Sequence, residues 1–109
     1  VTTGGRQIWL AGVGMWQDED GNNLDGDFEA QVHATFRQIE RNLAMAGGKL
    51  SDIVTMTVFI KDVRNGDKLT ELRKQYFPNG FPASALITVS GFARSEMMVE
   101  IQAVAVSHD

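Results

Sequence analysis

The spacing of apolar residues changes along the chain, and each change marks the border of an element. "RQIWLAG" (6–12) is a short apolar run ending at Gly12 and predicts a strand. "DEDGNNLDGD" (18–27) is polar and glycine-rich and predicts a hairpin or loop. Phe28, Val32, Phe36, Ile39 and Leu43 then fall at helical spacing; Asp27 and Glu29 suit the positive N-terminal end, and Gly47-Gly48 offers a left-handed stop. That span predicts a helix of about five turns. "DIVTMTVFI" (52–60) reads as a central strand, with Val54, Met56, Val58 and Ile60 on one face and Ile53, Thr55, Thr57 and Phe59 on the other. Helical spacing returns at Leu69, Leu72, Tyr76 and Phe77 until "PNGFP" (78–82) ends it, because Pro78 and Pro82 bracket a turn dipeptide. "ASALITVS" (83–90) and "MMVEIQAVAV" (97–106) predict two further strands.

Strand, loop, helix, strand, helix, strand, strand is an α+β order, which predicts a mixed β-sheet with two helices packed on one face. No repeat, linker or low-complexity tract interrupts it, so a single domain spanning 1–109 is expected. The last strand describes the uncovered face. Val99, Ile101, Ala103 and Ala105 point toward the helices, whereas Met98, Glu100, Gln102, Val104 and Val106 point away. A face of Met and Val around one Glu and one Gln is too apolar for water and too polar for a core. Another subunit laid over it, with Glu100 at the seam, satisfies both halves of that description.

Composition narrows the partners. A chain of 109 residues, 43% hydrophobic, supports one core and gains from subunit burial. A net charge of −4 without a basic run argues against nucleic acid as the main partner. No cysteine is present, which removes disulfides, thiol nucleophiles and thiolate metal sites, and no apolar run is long enough to predict a membrane span. A soluble, cytoplasmic protein is expected. The opening on Val1 rather than a methionine leaves room for residues upstream.

"WLAG" (9–12), "DGDFEAQVHATFRQIERNLAMAGGKLSDIVTMTVFIKD" (25–62), "YFPNGFPA" (76–83) and "VEIQAVAV" (99–106) resemble the RidA/YjgF proteins, long labelled endoribonuclease L-PSP, in their order and spacing. The resemblance implies a homotrimer whose sheets form a central barrel, with small-molecule clefts between neighbouring subunits. It also implies enamine or imine deamination. In the deaminating members the segment after the Phe-Pro turn reads Pro-Ala-Arg-Ser, and the arginine holds the substrate's carboxylate through a planar, charge-assisted fork. Here the segment reads Pro82-Ala83-Ser84-Ala85, and Ser84 offers one neutral hydroxyl. Ala11 stands where the family has a serine, Thr70 aligns with a family asparagine, and the family's N-terminal tyrosine would precede Val1. Glu100 matches the glutamate that positions or activates the hydrolytic water.

The resemblance therefore makes Glu100 the candidate catalytic residue, with a rim carboxylate paired to a neighbouring subunit as the plainer reading. Ser84, Ala85 and Leu86 are the candidate substrate-binding positions through their backbone amides. Arg94 is a candidate anchor for an anionic ligand, against a solvated loop charge; Arg73, on a helix with Lys68, Glu71 and Lys74, is a weaker one. Trp16 is a candidate cleft wall, while Trp9 reads as a packing residue. Asp18, Asp20, Asn22 and Glu29 imitate calcium-loop spacing, but a strand precedes them and Asn23 occupies the glycine position. His33 and His108 have no companions at ligand spacing, and His33 lies in the polar stripe of the first helix. "GVG" (12–14) lacks the third glycine of a dinucleotide fingerprint. No metal or organic cofactor is expected.

Two functions stay open. One is a RidA-like hydrolase with an altered substrate, for which the usual 2-aminoacrylate activity is not expected without the arginine. The other is a trimeric small-ligand binder or protein-interaction module that kept the fold and lost the reaction.

Overall fold

The computed structural model describes residues 4–108. Four strands form one mixed sheet: β1 (Arg6–Val13), β2 (Ile53–Ile60), β3 (Ala83–Thr88) and β4 (Val99–Ser107), in the spatial order β1-β4-β2-β3. β4 pairs antiparallel with both β1 and β2, whereas β3 runs parallel to β2. A parallel neighbour requires a crossover, supplied here by α2 (Gly66–Leu72) and the single-turn 3-10 segments on either side of it.

α1 (Phe28–Met45) is 18 residues long, the five turns expected from its apolar stripe. Asp27 caps it by accepting a bond from the Ala30 amide at 3.0 Å. At the other end the Gly47 amide donates to the Ala44 carbonyl and the Gly48 amide to Leu43, a Schellman closure that requires the positive φ of 81° at Gly47. Val32, Phe36, Ile39 and Leu43 pack against Ile8, Met56, Val58, Val99, Ile101 and Ala103 of the sheet, and Leu69 of α2 completes that core. The helices thus cover one face, and the alternation along β4 is as the sequence predicts.

Three details depart from the periodicity. The register between β2 and β4 shifts between Ile53 and Thr55, so Ile53 is buried in the core while Val54 turns to the other face, the reverse of strict alternation. α2 ends at Leu72, and a 3-10 turn over Arg73–Gln75 carries the chain on, leaving Tyr76 and Phe77 beyond the helix. Trp9, expected to pack, is 74% exposed on the uncovered face of the sheet. No helix among the described residues is long and apolar enough to cross a membrane.

Candidate functional site

Glu100 lies on the uncovered face of β4, directly across from Phe59 of β2, whose own neighbour on β3 is Ile87. On its other side β1 is irregular between Leu10 and Val13, and Gly12 sits in that irregularity. A Cβ on Gly12 would come 2.9 Å from the Glu100 carboxylate carbon, so the absence of a side chain there makes room for the carboxylate. Glu100 is half-buried, and no hydrogen bond or ion pair with another described residue engages its carboxylate.

Trp16 and Arg94 are brought together. The Arg94 guanidinium lies 4.2 Å from the centre of the Trp16 ring, and it pairs with Glu96 at 3.2 Å. A bond from its own backbone amide first, then those from the Arg94 and Ser95 side chains, lower the Glu96 carboxyl below its ordinary value. The segment is tied down by Gln31, a fully buried residue of α1. Its amide nitrogen donates to the Leu24 and Glu96 carbonyls, and its oxygen accepts from the Met98 amide at 2.8 Å. The role of Gln31 is set by contacts distant in the chain. The available signal was a polar residue one turn after Phe28, inside the apolar stripe of α1.

Ser84 and Leu86 are on the opposite face. They share register with Met56 and Val58, which point to the helices, whereas Ala85 shares the uncovered face with Thr57. All three positions are exposed on β3, the edge strand of the sheet. Ser84 is met by Arg73, whose terminal nitrogen donates to the Ser84 hydroxyl at 3.0 Å. The Thr70 hydroxyl is turned back onto its own helix, donating to the Gly66 carbonyl at 3.1 Å. One chain therefore separates Glu100 from Ser84 by the thickness of the sheet.

The decoys resolve locally. One Asp18 oxygen accepts from the amides of Asp20 and Asn22 and the other from the Asn22 side chain, while Glu29 pairs with Lys68. These bonds also lower the Asp18 carboxyl, the Asn22 side chain first. His33 is not a free surface histidine: its Nδ1 shares a hydrogen bond with the Tyr76 hydroxyl, joining α1 to the segment after α2. A hollow of about 410 Å³ between Met15–Asp20 and α1, lined in part by Arg37, Gln38 and Arg41, contains none of the candidate site residues.

The family model for endoribonuclease L-PSP matches residues 1–107. The chain belongs to that RidA/YjgF family. It is 31% identical over 101 residues to a RutC family protein of Pyrococcus abyssi, covering 93% of this chain and 79% of that protein. It is 28% identical over 102 residues to the human 2-iminobutanoate/2-iminopropanoate deaminase, covering 93% of this chain and 73% of that one. A crystal structure of RidA from an Antarctic Psychrobacter superposes with a TM-score of 0.84 at 25% identity, covering 98% of this chain and 85% of that one. The mixed sheet with helices on one face is thus the RidA/YjgF fold, and deaminases are among its relatives.

Proposed function

We propose that the chain is a RidA-like hydrolase of the imine and enamine deaminase class, working at sites between neighbouring copies of a homotrimer on a substrate other than a simple 2-imino acid. The observation that carries this reading is the Glu100 carboxylate, half-buried against Gly12 on an uncovered face and unengaged by any described residue. The gap left by Gly12 gives that carboxylate room to meet a bound water. The deaminase relatives supply the class of reaction.

The chemistry asks little of the protein. A protonated imine is already electrophilic at carbon. Glu100 takes a proton from a bound water as the water oxygen bonds to that carbon, giving a carbinolamine. Glu100 returns that proton to nitrogen and then accepts the hydroxyl proton as the C–N bond breaks, so that a carbonyl compound and ammonia leave. Ser84 and Glu100 lie on opposite faces of one sheet, so a ligand touching both must lie between Glu100 of one copy and Ser84 of another. Backbone amides along the exposed β3, around Ser84, Ala85 and Leu86, are the substrate-facing groups in this arrangement. Trp16, stacked under Arg94, forms a wall at the end of β4.

The second reading, a ligand binder without turnover, is favoured by Thr70, whose hydroxyl is consumed within its own helix rather than offered to a cleft. Glu100→Gln separates the two. For a hydrolase, release of ammonia from a panel of cyclic and aliphatic imines should fall by about 10²–10⁴-fold with the melting temperature scarcely changed. Equal turnover in both proteins would remove Glu100 from the mechanism, and no turnover in either would leave the binder. The parent protein should release pyruvate from 2-aminoacrylate no faster than buffer.

A further inference from the structure

Arg73 is the weaker of the two arginine candidates by sequence, yet its surroundings are the more unusual. Its guanidinium carbon lies 4.3 Å from the centre of the Phe81 ring. Its Nε is sealed from solvent and has no hydrogen-bond partner among the described residues. One terminal nitrogen donates to Ser84 Oγ at 3.0 Å, and no described carboxylate pairs with the group. Lys74, the next cation on the helix, is by contrast paired with Glu71, and Arg94 with Glu96.

An arginine free in water keeps all five of its donors hydrated. Here Nε is sealed off, the ring of Phe81 lies against the guanidinium, and the terminal nitrogens are left to bond. Partial desolvation of an unpaired cation is unfavourable, and an anion at the open end of the fork offsets it. Ser84 adds to this arrangement. Its oxygen accepts from Arg73, so its own proton is available to donate to the same anion.

We infer that Arg73, held by Phe81 and joined to Ser84, is a carboxylate-binding site, and that it takes the acid group of a small oxo or imino monocarboxylate. The inference deepens the hydrolase reading and rests on it for the substrate's imine. The guanidinium arrives from the 3-10 turn after α2 instead of from β3 itself. The distance between the anchored carboxylate and the reacting carbon is then set by the α2 crossover, consistent with a substrate other than a 2-imino acid.

The test is binding of pyruvate, acetoacetate and levulinate, which place the oxo group two, three and four carbons along, each beside its methyl ester, by calorimetry on the full chain. At least one acid should bind saturably, its ester should not, and affinity should fall with added salt. Arg73→Met, which retains an apolar stem over Phe81, should weaken that acid about ten- to a hundredfold, and Arg73→Lys by less. Ser84→Ala should weaken it severalfold. A melting curve checks that each variant is folded, and Arg73→Lys provides the comparison if Arg73→Met is not. Absence of saturable binding to the parent protein, equal binding of acid and ester, or unchanged affinity in folded Arg73→Met would overturn the inference. Imine turnover does not enter this readout. Acid binding without turnover would defeat the hydrolase and leave the anion site standing, whereas turnover with unchanged affinity in Arg73→Met would do the reverse.

Discussion

Gly12 and Glu100 make the closest functional argument at the scale of single residues. The 2.9 Å approach of a hypothetical Gly12 Cβ is to the end of a flexible side chain, so Gly12→Ala is accommodated by moving the carboxylate, not the backbone. Imine turnover should therefore fall at least tenfold in Gly12→Ala while thermal stability changes little, and a large drop in melting temperature with retained turnover would contradict that account. The place of Glu100 on the uncovered face was legible in "VEIQAVAV", but the reason for Gly12 was not, since a glycine ending an apolar run reads simply as the end of a strand. His33 shows the opposite error. Its position in the polar stripe is right, but Tyr76, 43 residues away, reaches across to it.

Among the elements, α1 does more than cover the sheet. Through Gln31 it holds the Leu24 carbonyl on one side and the Glu96 carbonyl and Met98 amide on the other, fixing the segment that leads into β4 and Glu100. Gln31→Leu fills the same buried space but leaves those backbone groups without their partner. A loss of about 1–3 kcal/mol in stability is expected, with faster hydrogen exchange at the Met98 amide; an unchanged exchange rate would show that Gln31 is not what orders the segment. The start of the α2 crossover has its own device. Arg64, through its side chain first and then its backbone amide, lowers the Asp62 carboxyl from its ordinary 3.8 to about 2. Because the folded value is depressed, the contribution is present above about pH 3.8 and is lost as pH falls toward 2. The group is exposed, so the effect should be small: Asp62→Asn should flatten only that acid limb of a pH–stability curve and leave neutral stability nearly unaltered. Asp27 and Gly47 are capping residues visible in the sequence, whereas the shift at Val54 was not, because a bulge is decided by the strand alongside.

Across the whole molecule the uncovered face is the dominant fact. Trp9 at 74% exposure, Ile87 at 44%, and the partly exposed Val54, Val104 and Val106 form an apolar surface around Glu100 and Gln102. The Trp9 indole nitrogen donates to the Gln7 side chain at 2.9 Å. In the homotrimer proposed above this surface is where the copies meet. Light scattering at micromolar concentration should return three times the chain mass, and Trp9→Glu should shift the population toward smaller species. A monomer mass for the parent protein would reject the trimer and, with it, a site shared between copies.

Local pattern was enough to predict the elements, their order, the buried face of β4 and the two ends of α1, because strand and helix periodicities and capping depend on residues only a few positions apart. Quoted stretches along most of the chain were also enough to suggest the family. The contacts that build the candidate site join positions far apart in the chain: Gly12 with Glu100, Gln31 with Glu96 and Met98, Trp16 with Arg94, and Arg73 with Ser84. Each depends on which strands become neighbours and on where the register shifts, and no local periodicity encodes either. The same pairing of β2 with β3 and β4 places Ser84 and Glu100 on opposite faces of the sheet, a separation that 16 positions of sequence leave undetermined.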